Sequence, residues 1–68
     1  MNAYVILVIP EASLGRISGE AYTNLAAAQE FIESRSGNPR KISEYIYRDD
    51  DETSYLIFNV KVVERSNG

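Results

Sequence analysis

The densest group of chemistry-bearing side chains in this sequence is a run of four acidic residues: Asp49, Asp50, Asp51 and Glu52. Such carboxylates could bind Ca²⁺ or supply the pair that a general acid–base catalyst needs. The calcium-loop pattern fails, because position six counted from Asp49 is Ser54 instead of glycine, and position twelve is Val60 instead of glutamate. A catalytic carboxylate pair needs one member removed from water so that its pKa rises, whereas we expect this run to form a solvated turn.

The other side chains that usually carry catalysis are missing or isolated. The sequence has no His and no Cys, which removes the usual general base, the thiolate nucleophile, the common zinc ligands and disulfides. Gly15 and Gly19 do not form a phosphate-binding glycine pattern. A chain of 68 residues also has difficulty enclosing a ligand pocket of about 300 Å³. We therefore expect no enzymatic activity, no metal site and no cofactor.

The composition is that of an ordinary globular domain, with 44% hydrophobic and 25% charged residues. A net charge of −3 and scattered basic residues predict no direct binding to nucleic acid. The first apolar run, 4–9, is too short to span a membrane and has no basic segment before it. We expect a cytoplasmic location and no membrane contact.

Apolar periodicity and turn residues predict a single α+β domain over 1–68 with the element order ββαββ. Asn24 suits a helix N-cap, and Gly37 suits the left-handed C′ position after the helix. The predicted elements are strands at 4–9 and 16–22, a helix at 25–35, strands at 41–48 and 53–64, and a frayed tail at 66–68.

The first and last strands are the most apolar, and buried strands lie centrally in a sheet. Following the chain direction through the helix predicts one helix packed on a four-stranded sheet of order 2-1-4-3, with the two central strands parallel. This arrangement resembles the β-grasp fold and the immunoglobulin-binding domains of bacteria. A fully antiparallel sheet is the alternative.

One helix covers one face of a sheet, so the other face should be polar, but the first and last strands are apolar on both sides. The length of the last turn decides which residues share a face. A turn of two or four residues places Tyr45 and Tyr47 beside Leu56 and Phe58, and a turn of three or five places Ile42 and Ile46 there. The candidate partner-binding residues on the uncovered face are Tyr55, Ile57, Ile46 and Ile42.

Three functions fit these features. The first is a small protein-binding module that uses the apolar sheet face or a free strand edge, with another protein or a second copy as its partner. The second resembles the acidic inhibitors encoded by phages. In that case the acidic turn, with Glu44 and Glu64 nearby, mimics nucleic acid and blocks a nucleic-acid-handling or defence protein of the host. The third is a structural subunit of a homo-oligomer.

Overall fold

The computed structural model describes residues 2–63, which form one helix and five strands in an α+β fold. Glu64 and the predicted frayed tail at 66–68 lie outside the described residues. The predicted first two strands, helix and last strand agree with the structure to within a few residues. The elements are β1 (Asn2–Ile9), β2 (Arg16–Tyr22), α1 (Leu25–Glu33), β3 (Arg40–Ser43), β4 (Ile46–Arg48) and β5 (Ser54–Lys61).

The five strands form one sheet of order β2-β1-β5-β4-β3, in which every neighbouring pair is antiparallel. The predicted four-stranded order 2-1-4-3 with parallel central strands is wrong. The first and last strands do lie side by side, as predicted, but they run in opposite directions. The fully antiparallel alternative is the arrangement that forms.

The difference arises at a tight turn formed by Glu44 and Tyr45, which divides the predicted strand 41–48 into β3 and β4. The Ser43 hydroxyl accepts a hydrogen bond from the Tyr45 amide at 3.3 Å, and such local bonds compete with a sheet ladder. The Gln29 side chain donates to the Glu44 carbonyl at 3.0 Å, which ties the turn to the helix. This additional reversal makes β5 antiparallel to β1.

Helix α1 begins as predicted, because the Asn24 side chain accepts a hydrogen bond from the Ala27 amide at 2.8 Å. It ends at Glu33, earlier than predicted, with Ser34 as its C-cap. Gly37 has the left-handed φ of +100° expected of it, but in the loop that follows and not at C′. No helix among residues 2–63 is long and apolar enough to cross a bilayer.

The core lies between α1 and one face of the sheet. Two of its buried residues come from the helix and five from the strands. Because successive strand residues point to opposite faces, the intervening residues of the same strands lie on the face away from α1. The buried core residues are Ile6, Val8, Ala28, Ile32, Tyr47, Tyr55 and Ile57.

Candidate functional site: an open apolar sheet face

The face of the sheet away from α1, called the open face below, carries apolar side chains in rows that cross the strands. The longest row crosses four strands, from β2 through β1 and β5 to β4, and its members are direct partners in the sheet register. This row consists of Ile17, Leu7, Leu56 and Ile46. Cross-strand neighbours of this kind are in side-chain contact, so the row is a continuous apolar band.

Two further rows extend the band towards the C-terminal end of β5. The second row consists of Ala21, Val5 and Phe58, and the third of Ala3 and Val60. At the opposite end of the open face the register aligns Ile9, Ser54, Arg48 and Arg40, so positive charge borders the band at the corner formed by β4 and β3. The three apolar rows themselves contain no charged residue.

The solvent exposure of these side chains shows that the outer members of the rows are open to solvent, whereas the central Leu7, Leu56 and Val5 are half-buried and Gly15 of the β1–β2 connection lies against Leu7. Ile17 is 55% exposed, Phe58 44%, Val60 39% and Ile46 37%. Fully burying a large aliphatic or aromatic side chain contributes about 1.5–3 kcal/mol, and because these four are about half exposed, covering them would add about half of that for each. The helix cannot cover them, because α1 is on the other side of the sheet.

Two of the four apolar residues predicted for the uncovered face lie elsewhere. Tyr55 and Ile57 are 3% and 5% exposed and belong to the core, so their assignment to the uncovered face is wrong. The reason is the turn length: residues 49–53 form a five-residue turn, which places Ile46 on the side of Leu56. Ile42 is exposed but occupies an irregularity of edge strand β3, outside the rows.

The sequence predicts Leu56 and Phe58 only as members of one of two alternative faces, and no pattern in it singles out Ile17. The sequence does not fix whether the turn between β4 and β5 has an odd or an even number of residues, and that number decides which face of β5 packs on the helix. An aspartate that opens a turn and accepts hydrogen bonds from amides further along the chain is the one local signal for it.

That aspartate is Asp49, and the expectation of a fully solvated acidic turn is wrong for it. Asp49 is only 4% exposed. Its Oδ1 accepts hydrogen bonds from the amides of Asp51 at 2.9 Å and Thr53 at 3.0 Å, and its Oδ2 accepts one from the Tyr55 hydroxyl at 3.0 Å. Asp49 therefore organises the turn and anchors it to the core.

The remaining members of the acidic run, Asp50, Asp51 and Glu52, are exposed. Asp50 lies 3.8 Å from the Arg40 guanidinium, with both side chains in solvent, and such pairs contribute little to stability. Among the described residues no group of three or more Asp, Glu, His or Cys side chains could hold a metal ion. The role of the turn as a nucleic-acid mimic stays a prediction.

A second polar anchor joins the helix to β4. The Tyr47 hydroxyl donates a hydrogen bond of 2.6 Å to the Glu33 carboxylate, and Tyr47 is 1% exposed. Burial, and then the hydrogen bond and charge of Glu33, raise the pKa of Tyr47 from 10.0 to about 12. Burial also raises the pKa of Tyr55, where Arg35 acts in the opposite direction and Asp49 adds to the increase. These tyrosines are structural donors.

A shallow groove of about 310 Å³ runs between α1 and β2. The Arg35 guanidinium lies over the rings of Phe31 and Tyr55, 5.4 and 5.7 Å from their centroids. The lining has one hydroxyl, that of Ser18, and no carboxylate, imidazole or thiol that could act as its base. The lining of the groove consists of Val8, Arg16, Ile17, Ser18, Gly19, Phe31 and Arg35, so Ile17, on edge strand β2, borders both this groove and the open face.

Of the surfaces described, the open face carries the longest continuous apolar rows. Comparison of the chain with protein-family models, with curated proteins and with solved structures yields no match.

Proposed function

We propose that this protein is a small non-enzymatic interaction module whose binding surface is the open face. The observation that carries the proposal is the band of three apolar rows, led by Ile17, Leu7, Leu56 and Ile46, on a face that no described element covers. Contiguous exposed apolar surface of more than a few hundred Å² marks interaction sites in soluble proteins.

The size of the domain supports the same conclusion. The described core has only seven buried hydrophobic residues, and domains of about 70 residues commonly need help from a metal, disulfides or a partner chain. The sequence has no Cys to form a disulfide. A protein seated on the open face would provide the second layer that the sheet lacks.

The strand edges are less suited to binding than the face. Edge strand β3 is four residues long and carries Arg40 and Lys41, and short, charged edges discourage pairing with another chain. Edge strand β2 has an irregular register opposite Ile6, which interrupts the ladder that an added strand would follow. These features favour recognition through side chains of the face over addition of a strand.

The test compares two isoleucines of nearly equal exposure. Ile17 is 55% exposed and within the longest row, and Ile42 is 57% exposed and outside it. The tagged wild-type chain, Ile17→Ser and Ile42→Ser are each purified from source cells that also express the untagged chain, and the associated polypeptides are identified.

We expect a polypeptide, whether another protein or the untagged chain, to associate with the wild type and with Ile42→Ser but not with Ile17→Ser. Circular dichroism confirms that both variants are folded. Association that is equal in all three proteins, or no association at all, would contradict the proposal.

A further inference from the structure

We propose that the protein seated on the open face is a second copy of this chain, packed face to face about a two-fold axis that runs along the strands between β1 and β5. This inference rests on the proposed function and names its partner. The resulting dimer is a β-sandwich with a helix on each outer surface, the layered arrangement that packed sheets adopt.

The longest row of the open face is symmetric about that axis. From one edge to the other it reads Ile17, Leu7, Leu56, Ile46, so its order of side-chain types is the same in both directions. The axis exchanges β1 with β5 and β2 with β4. Leu7 of one copy then faces Leu56 of the other, and Ile17 faces Ile46. An isologous interface requires such a self-complementary patch.

The other rows pair small residues with larger ones under the same operation. Within one copy, Val5 is in register with Phe58, and Ala3 with Val60, across β1 and β5. Because the axis exchanges these two strands, Val5 of one copy faces Phe58 of the other, and Ala3 faces Val60. Small residues opposite large ones allow two sheet faces to interdigitate at the density of a protein interior. The two faces that the axis brings together are therefore complementary in side-chain size as well as apolar.

The charges at the border of the open face follow the same symmetry. Arg48 lies level with Ile9, at the corner formed by β4 and β3. The axis places this corner over the β1–β2 connection of the second copy, which contains the exposed Glu11. The axis brings Glu11, and also Arg16 at the start of β2, to the edge that Arg48 occupies, once on each side of the axis; pairing of Arg48 with Glu11 would favour this orientation over others.

The area of the open face is that of a weak dimer. Strands β1, β5, β2 and β4 have eight, eight, seven and three residues, and at ~3.3 Å per residue and ~4.8 Å between strands their flat footprint is about 400 Å² per copy. The pair buries about 800 Å², which is below the ~1,000 Å² of most stable dimers and in the range of weak, transient interfaces.

The test is the native mass of the purified chain by light scattering over a concentration series, for the wild type, Ile17→Ser and Ile42→Ser. We expect the wild-type mass to rise from 7.6 kDa to twice that value. Ile17→Ser removes one apolar contact from each copy. If each lost contact raises the dimer Kd about tenfold, the two together should raise it about 100-fold. Ile42→Ser should leave the Kd unchanged.

The orientation is tested by charge reversal. Arg48→Glu and Glu11→Arg should each weaken the dimer, and the double variant should restore it, because the reversed pair again has opposite charges. Loss without restoration overturns the proposed axis. Val60→Ser, also on the open face, replaces Ile17→Ser if that variant does not fold.

A wild-type chain that stays monomeric up to about 1 mM overturns this inference, as does a dimer that Ile17→Ser and Val60→Ser leave intact. Neither result refutes the proposed function. Another protein that associates with the wild type but not with Ile17→Ser would leave the interaction module standing with a different partner.

Discussion

Replacement of Asp49 by alanine should be among the most damaging single changes to this fold. The side chain accepts three hydrogen bonds from Asp51, Thr53 and Tyr55, and it is 4% exposed. Asp51→Ala is the matched control, because that side chain is exposed and only its backbone amide takes part in the turn.

The loss of stability depends on whether water can reach the three donors once the Asp49 carboxylate is removed. A hydrogen bond to a charged group contributes about 1.5–3 kcal/mol. The amides of Asp51 and Thr53 are at a turn that water reaches, so part of their loss is recovered, whereas Tyr55 is 3% exposed and its hydroxyl is left buried. We expect a loss of about 3 kcal/mol for Asp49→Ala, and no more than about 0.5 kcal/mol for Asp51→Ala.

The assay is urea unfolding followed by circular dichroism at one fixed protein concentration, because self-association would otherwise change the apparent stability. With an m value of about 1 kcal/mol per molar urea for a small domain, Asp49→Ala should lower the midpoint by about 3 M relative to wild type. Equal midpoints for Asp49→Ala and Asp51→Ala would refute the assignment of Asp49 as the anchor of the turn.

Three other predictions concern the polar supports of the fold. The pKa of Tyr47 is about 12 in the folded chain and 10.0 for an ordinary tyrosine, so its contribution of about 2–3 kcal/mol should be intact below pH 10 and lost as the pH rises to about 12. Tyr47→Phe should remove that part of the pH dependence in urea unfolding. Gly37→Ala should destabilise by about 1–3 kcal/mol, because φ is +100° and the added Cβ would lie 3.1 Å from the Asp49 Oδ2; an unchanged midpoint would contradict this. Asn24→Ala should lower the free energy of unfolding by about 1 kcal/mol, because the helix loses its N-cap. Asn24→Ser should keep most of that stability, because serine also caps helices.

The elements that could be predicted from the sequence are those decided by local patterns. The apolar run of β1 and the apolar β5 identify the two central strands, and Asn24 identifies the start of the helix. In each case the deciding residues are adjacent in sequence, or one helical turn apart, and no distant contact is needed to interpret them.

The features that could not be predicted depend on contacts between distant segments. The alternation of Ile42, Ile46, Tyr45 and Tyr47 is equally typical of one long strand or of two short ones. The turn that divides them is supported by Gln29, fifteen residues away in sequence from Glu44. The burial of Asp49 depends in the same way on Tyr55 and on the approach of Gly37.

The choice of face failed for a simpler reason. Pattern alone left the parity of the last turn open, and a change of one residue in that turn exchanges the two faces of β5. Both faces of β5 are apolar, with Tyr55 and Ile57 on one and Leu56 and Phe58 on the other. Hydrophobicity therefore gave no basis for choosing between them.

The same property has a consequence for how this chain tolerates insertions and deletions. In a sheet with one polar face, a strand that slips by one residue is penalised by burying polar groups; here β5 could slip and still present apolar side chains to the helix. The core therefore does not select one register of β5 over the other, and the turn held by Asp49 makes that selection. Gaining or losing one residue between Arg48 and Ser54 would turn β5 over and exchange its inner and outer side chains, whereas gaining or losing two would preserve them.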